Sequence, residues 1–325
     1  MNLINENKAM AGALVTPVLF LIFRNPEATR RVFEQIRAAR PSKLYIAADG
    51  PRPDRPDDIA DCEATRAVVA HVDWDCEVHT RFLPSNLGLK KAVSSALDWF
   101  FEAEEEGIIL EYDCLPDPSF FPYCQTMLER YRSDTRIFSI TGNNIQADIR
   151  RGDGDYYFSR FTAVWGWASW RRSWSLWRPN LEDFDVFLSS KVIASIVADK
   201  KGQQFWIRTF EAVHTGLNVT TWAFCLIYAQ IKQGGYCVVP NHNLIRNIGF
   251  GAEGTNSVDP SHPLARLATC ELSSYYEPTF FVPDLAADTE FSLRAAYSPP
   301  TPFLRRVARY LRRRLRSLKD AVEKI

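Results

Sequence analysis

The sequence predicts an α/β fold, a mostly parallel sheet flanked by helices, followed by a C-terminal amphipathic helix. Three observations lead there. Short apolar runs alternate with amphipathic stretches at helical spacing through the first half of the chain. The runs are apolar on consecutive residues, as strands covered on both faces are. With 46% hydrophobic and 13% aromatic residues, the 325-residue chain can fill a large core. At roughly 150 residues per domain this means about two domains, or one large α/β unit with additions.

PVLFLIF (17–23) reads as the first strand, Arg24-Asn25-Pro26 as a turn, and the next fourteen residues as a helix, with Val32, Phe33, Ile36 and Ala39 on one face. KLYIAADG (43–50) is a second strand closed by Asp49-Gly50, the Pro- and Asp-rich stretch 51–58 a loop, and 58–72 a second helix. Residues 76–83 form a third strand, leading through PSNLGL into a helix over 90–106. GIILE (107–111) is a fourth strand, and RIFSITG (136–142) follows another helix. Beyond residue 150 the pattern gives way to an aromatic, Arg-rich segment (156–177), with helices across 203–214 and 223–232; this half is expected to pack on the sheet edge.

Charge is segregated. Lys plus Arg and Asp plus Glu both number 39, so composition gives no support for attraction to nucleic acid. Yet residues 303–325 carry nine basic side chains against Asp320 and Glu323, leaving a net −7 on the rest. The seven cysteines are odd in number and never spaced as CxxC, so neither a disulfide framework nor a zinc cluster is indicated and a reducing cytoplasm fits. The apolar run 11–23 contains Pro17 and is shorter than the roughly 20 residues of a membrane span.

In open parallel sheets, ligands bind beyond the carboxyl ends of the strands. There the sequence is polar: Arg24-Asn25 after the first strand, Asp49 and Arg52 after the second, Asn86 and Lys90 after the third, and Glu111-Tyr112-Asp113 after the fourth. Neither GxGxxG nor GxxxxGK[ST] is present, which leaves no argument for a nicotinamide dinucleotide or a Walker-type triphosphate. Two carboxylates two residues apart at a strand end suit Mg2+ or Mn2+, which takes one or two protein oxygens and carries phosphate on the rest. This is a combination suited to sugar-nucleotide transfer. Trp165-Gly166-Trp167, with Trp222, offers flat rings for the C–H faces of a sugar, and Gly between two Trp permits close approach to the backbone.

PVLFLIF, LYIAADGPR, the long block 86–124, ITGNN (140–144), YYFSR (156–160), WGWASWRRSW (165–174) and NLIRNIGFG (243–251) resemble, in order, segments of bacterial glycosyltransferases of the GT-A fold. The likeness is to the branch described as hemolytic-protein-like, and it spans about residues 15 to 257. It implies a GT-A domain over 15–300, with a nucleotide-sugar half (15–150) and an acceptor half (151–300), between a polar leader (1–14) and a basic tail helix (301–325). It further implies a nucleotide-sugar donor held by Arg24, Asp49, Arg52, Asn86, Lys90, Glu111 and Asp113, with Glu111 and Asp113 binding Mn2+ or Mg2+ and the diphosphate. The acceptor would be a glycan or lipid-linked glycan, contacted by Trp165, Gly166, Trp167 and Trp222. The implied reaction is an inverting transfer to a hydroxyl of a bacterial surface glycan or related glycoconjugate.

The chain also departs from that pattern. Tyr112 replaces the middle carboxylate of Glu-Asp-Asp-Cys, Ala223 replaces the acid of Trp-Asp-Tyr, Asn256 replaces a His, and Arg24-Asn25 inverts the usual order. The Asp missing at 223 is the natural candidate for a general base, so Asp113 remains as the catalytic carboxylate and Glu253 as an alternative base. Arg24, Arg52, Lys90 or Lys91 could instead offset diphosphate charge without a metal. A non-catalytic homologue that binds a glycan or a partner is the competing expectation. In the tail, Leu304, Leu311, Leu315 and Leu318 recur at helical steps among seven arginines, an amphipathic pattern suited to an anionic membrane surface. The expected location is cytoplasmic, on the inner face of the membrane.

Overall fold

The computed structural model describes residues 14–146, 149–217, 221–250 and 263–296. Nearly all of the leader, Glu253, Asn256 and the tail helix 301–325 lie outside the described residues.

Six strands run one way in an eight-stranded sheet and two run against them. The first half follows the expected alternation: β1 (Val18–Ile22), α1 (Pro26–Ala39), β2 (Lys43–Ala48), α2 (Asp57–Val68), β3 (Glu77–Phe82), α3 (Leu89–Ala103) and β4 (Glu106–Glu111). Then come β5 (Cys114–Pro116), α4 (Phe120–Arg130) and β6 (Ile137–Thr141). The start of α1 shows why these boundaries are sharp: Pro26 occupies the first turn, and the Asn25 side chain accepts a hydrogen bond from the Ala28 amide at 3.0 Å.

Strand β1 is buried along its whole length, and its residues divide between the two faces. Val18, Phe20 and Ile22 join α1 and α4 in one core, while Leu19 and Leu21 join α3 in the other. At about 1.5–3 kcal/mol per fully buried large apolar side chain, the strand is pinned from both sides.

The second half does not simply pack on the sheet edge. After β7 (Tyr156–Ser159), strand β8 (Trp167–Trp170) inserts between β4 and β6, antiparallel to both. Gly166 makes the turn into it at φ 62°, and a Cβ there would lie 2.3 Å from Ile245 Cδ1. The chain continues through α5 (Arg171–Trp174), α6 (Phe184–Ser190), α7 (Val192–Ile196), α8 (Lys200–His214) and α9 (Ala223–Lys232). β9 (Tyr236–Pro240) then pairs with β6 and with β7, the edge strand. β10 (Ile245–Asn247) forms a separate two-stranded ribbon with β5. Helices α6 to α9 bury a third apolar cluster around Trp206 and Phe210.

α10 (Leu285–Ala295) ties the end of the described chain to that cluster and to β7. Trp206 Nε1 donates to Ser292 Oγ at 2.8 Å. The Asp288 carboxylate accepts from Ser159 Oγ (2.7 Å), the Arg160 amide (3.1 Å) and the Arg160 guanidinium (3.1 Å). Burial outweighs these bonds and pushes Asp288 up to about 6. The folded chain therefore keeps this proton to higher pH than an unfolded carboxyl of pKa about 3.9 does, so the stability it contributes is full below pH 4 and lost as pH rises through 6. Urea denaturation of the wild type between pH 4 and 6 is expected to show stability falling with pH. Asp288→Asn should flatten that slope, and an unchanged slope in the variant would remove Asp288 as its source.

Candidate functional site

The strand order β3-β2-β1-β4 reverses at β1, because β2 and β3 extend the sheet on one side while β4 pairs on the other. A crevice opens beyond the carboxyl ends of β1 and β4 at such a reversal. A cleft of about 600 Å3 lies there, lined by Leu21 to Phe23 from β1, by Ala47 to Asp49 from β2 and by Glu111 to Asp113 from β4. The first turns of α3 and α9 complete its wall, with Gly88, Leu89, Ala92, Trp222, Ala223 and Phe224. Gly88 and Trp222, at the two caps, make no side-chain cap hydrogen bond, while Thr221 Oγ1 accepts from the Phe224 amide of α9 at 3.4 Å.

Asp49 organises one end. Its carboxylate accepts from the Gly50 amide (2.8 Å), the Leu87 amide (2.9 Å), the Asn86 side-chain amide (2.9 Å) and the Gly88 amide (3.2 Å). Asn86 Nδ2 also donates to the Gly50 carbonyl at 2.9 Å. A carboxylate offers about four lone-pair positions, so Asp49 is occupied in holding the 86–88 loop. Gly50 is required here, since a Cβ would lie 2.4 Å from the Ser85 backbone.

The cations named from sequence divide. Arg52 lines the cleft but forks onto Asp58, with Nε at 2.6 Å and Nη2 at 2.8 Å. The guanidinium's hydrogen bonds hold the buried Asp58 carboxyl below the usual carboxylate range. Arg24 turns away from the cleft to Asp58 and Asp61, each at 3.4 Å. Lys90 donates to the Pro179 carbonyl at 2.5 Å, linking α3 to the chain before α6. Arg81, on β3, was not singled out by sequence. It lines the cleft, bonds only Ser95 Oγ (3.2 Å), and has no ion-pair partner among the described residues. Its signal was available, since a basic residue late in a strand points to the ligand end of the sheet.

At the other end, Glu111 and Asp113 are half-buried at the cleft wall. The Asp113 carbonyl accepts from the Ile248 amide at 2.8 Å, and Cys114 Sγ approaches its carboxylate at 3.6 Å. Gly249 makes room for it, because a Cβ there would lie 2.3 Å from Asp113 Oδ2. Asn247, which lines the cleft, accepts from the Gly249 amide at 2.9 Å and so fixes this turn. Neither carboxylate has an ion-pair partner among the described residues. Burial and then the neighbouring Asp113 push Glu111 up to about 8, and burial raises Asp113 as well. Two such oxygen donors, half-buried at the cleft wall and without an ion-pair partner among the described residues, fit a hard divalent cation, although no group of three or more His, Cys, Asp or Glu among the described residues forms a metal cluster.

The aromatic candidates also divide. Trp165 and Trp222 line the cleft, Trp165 edge-on to Phe250 at 5.8 Å. Trp167 is 1% exposed, inside the core against Trp222, and Gly166 lies in the turn before β8 rather than in the cleft wall. Ala223 lines the cleft at the first position of α9, the place from which an acidic side chain would reach it.

No family model and no curated protein matches the sequence. The fold is similar to solved structures, among them a mannosyltransferase from Pyrobaculum calidifontis in complex with GDP-Man and Mn2+, at 11% identity over 51% of this chain and 47% of that one, TM-score 0.35. HddC from Yersinia pseudotuberculosis matches at 9% identity over 49% of this chain and 78% of that one, TM-score 0.30. An apo UDP-glucose pyrophosphorylase matches at 8% identity over 72% of this chain and 93% of that one, TM-score 0.37. The chain spans about half the length of the mannosyltransferase.

Asp49→Ala leaves four donors without their acceptor at the cleft rim. The expected result is a loss of about 2 kcal/mol on denaturation, discounted for partial exposure, and faster amide exchange at Leu87 and Gly88. Unchanged exchange at those amides would show that another contact holds the loop.

Proposed function

We propose that this protein transfers a sugar from a nucleotide-diphosphate donor to a hydroxyl of a bacterial surface glycan or related glycoconjugate. The observation that carries the proposal is the uncompensated carboxylate pair Glu111 and Asp113 at the strand-order reversal. The cleft's other charges strengthen it. Asp49 is saturated by its loop and Arg52 by Asp58, which leaves Arg81 as the one arginine of the described cleft without an ion-pair partner, a single positive charge against a diphosphate. Mn2+ or Mg2+ held by Glu111 and Asp113 would supply leaving-group stabilisation for the diphosphate. The chain's own residues then bind and orient: the N-termini of α3 and α9 present backbone amides to an anion, Arg81 adds a positive charge, and Trp165 offers a ring to a sugar, whereas Trp222, 3% exposed and packed on Trp167, backs the wall. Inversion, a lipid-linked acceptor and a tail held at the inner face of a membrane complete the proposal on the strength of the sequence resemblance.

One observation favours a second reading. Apart from the Glu111 and Asp113 pair, the described cleft offers only the saturated Asp49 as a carboxylate, and Ala223 stands where a base would reach in. A homologue that binds donor or glycan without turnover is built the same way.

Calorimetry with UDP-, GDP- and CMP-sugars, with and without Mn2+, is expected to show Mn2+-dependent binding of at least one donor. Asp113→Ala should abolish it, and Gly249→Ala should weaken it about tenfold, ~1.4 kcal/mol, by displacing the carboxylate with the fold intact. Binding of no nucleotide sugar would contradict the proposal, whereas binding without donor hydrolysis or transfer would favour the second reading.

A further inference from the structure

The two edges of the eight-stranded sheet differ. β7 is buried along its whole length, and the chain near Pro283 lies along it: Phe158 bridges to Pro283, and the Asp284 amide donates to the Phe158 carbonyl at 2.9 Å. β3, at the opposite edge, pairs only with β2 among the described strands. Val78 (40%), Thr80 and Phe82 (39%) are exposed there. A bare edge is a template for a further strand unless a Pro, a bulge, a covering segment or repelling charge blunts it. β3 has no Pro, and its register with β2 is unbroken from Glu77 to Phe82.

The free groups of this edge are fixed in phase. The Glu77 amide donates to the Ser42 carbonyl and the Leu83 amide to the Ala48 carbonyl, both at 2.9 Å, so residues 77, 79, 81 and 83 turn their backbone groups to β2. Alternate residues of a parallel pair turn theirs the other way, which leaves the amides and carbonyls of Val78, Thr80 and Phe82 facing out. Side chains divide by the same alternation. His79 stacks on Tyr45 at 4.5 Å and Arg81 reaches Ser95 of α3, so Glu77, His79 and Arg81 share the α3 face. The Arg66 guanidinium of α2 lies over the Phe82 ring at 5.3 Å, so Val78, Thr80 and Phe82 share the other.

Charge selects the strand that fits. Glu77 and Arg81 flank His79 symmetrically with opposite signs. Arg81 has no ion-pair partner among the described residues, and the Glu77 carboxylate, 57% exposed, meets His79 at 2.8 Å and Lys43 at 4.0 Å. A second β3 added parallel and in register would set Glu77 on Glu77 and Arg81 on Arg81. Turned antiparallel about His79, it sets each Glu77 opposite Arg81 of the second copy. The same turn places Val78 opposite Thr80 of the second copy, and these outward-facing residues exchange their backbone hydrogen bonds. On the α2 face, Phe82 comes diagonal to Val78 of the second copy, within reach of an aromatic ring. Such a pairing closes on itself.

We propose that β3 is a dimer interface, where a second copy of this chain pairs antiparallel across a two-fold axis at His79 and joins the two sheets into one. The several N–H donors of a guanidinium let Arg81 take the carboxylate of the second copy and still face the cleft that it lines. The interface is independent of the sugar-transfer reading, and its readout, molecular mass, needs no donor.

Sedimentation velocity of the full chain over about 1 to 100 µM is expected to show a monomer–dimer equilibrium. Arg81→Glu and Glu77→Arg each put like charges together in both symmetry-related pairs, and each is expected to weaken the dimer at least about tenfold. Glu77→Arg/Arg81→Glu puts opposite charges back together and is expected to restore it. Thr80→Pro removes an outward amide without touching the β2 ladder and is expected to be monomeric. Circular dichroism confirms that each variant is folded. His79→Cys, at the axis, is expected to yield a disulfide-linked dimer under mild oxidation beyond any that the wild type forms. A wild type monomeric at every concentration would overturn the interface, as would a dimer that survives Thr80→Pro and both single reversals. Weakening by both reversals without rescue in the swap, or no added crosslink in His79→Cys, would overturn the antiparallel pairing about His79.

Discussion

Two carboxylates that repel each other, half-buried side by side at the cleft wall, are the constraint around which the cleft is arranged. Glu111 ends β4 opposite Leu21 of β1, a strand buried along its whole length, and the Tyr112 amide still bonds the Leu21 carbonyl at 2.9 Å. Asp113 is clamped immediately afterwards, where the β5–β10 ribbon pairs Cys114 with Asn247 and Gly249 backs the carboxylate. Neither side chain is free to separate far from the other. Without a cation, burial favours the protonated form of both carboxyls, and the Asp113 charge adds to this at Glu111. A divalent ion with its anionic ligand, as proposed above, would favour the ionised pair instead.

The same economy explains the arginines. A guanidinium is weakly hydrated and shaped to grip a carboxylate in two places, so an Arg near a buried Asp is captured by it. Asp58 sits in the first turn of α2, buried, and takes both Arg52 and Arg24. These ion pairs brace the loop between β2 and α2 against α1's entry turn. Arg81 escapes this fate because its neighbour on α3 is a serine.

The first half of the fold was legible because parallel strands covered on both faces leave uninterrupted apolar runs, and β1 to β4 fall within a residue or two of the expected spans. β8 was not. Four residues rich in Trp carry no periodicity, and their place between β4 and β6 depends on pairing with residues far away in sequence, such as Glu106 with Trp170 and Ser139 with Ser169. β9 had a signal that was overlooked, YCVVP bounded by Gly234-Gly235 and Asn241. At the site, position in sequence located the residues that reach the cleft from strand ends, but side-chain direction decided the rest. Trp165 and Trp167 are two residues apart, yet only Trp165 meets the cleft, because the turn at Gly166 places Trp167 inside the sheet. Arg24 and Lys90 lie beside the cleft in sequence terms and are drawn away by Asp58 and by the Pro179 carbonyl.

The account is tested most directly by asking where a bound cation sits. Mn2+ broadens amide resonances steeply with distance, so titrating it into isotope-labelled protein with a nucleoside diphosphate maps its position without any assay of turnover. The account predicts that broadening centres on residues 111–113 and 247–249 and disappears in Glu111→Gln/Asp113→Asn. Broadening centred elsewhere, or persisting in that variant, would contradict it.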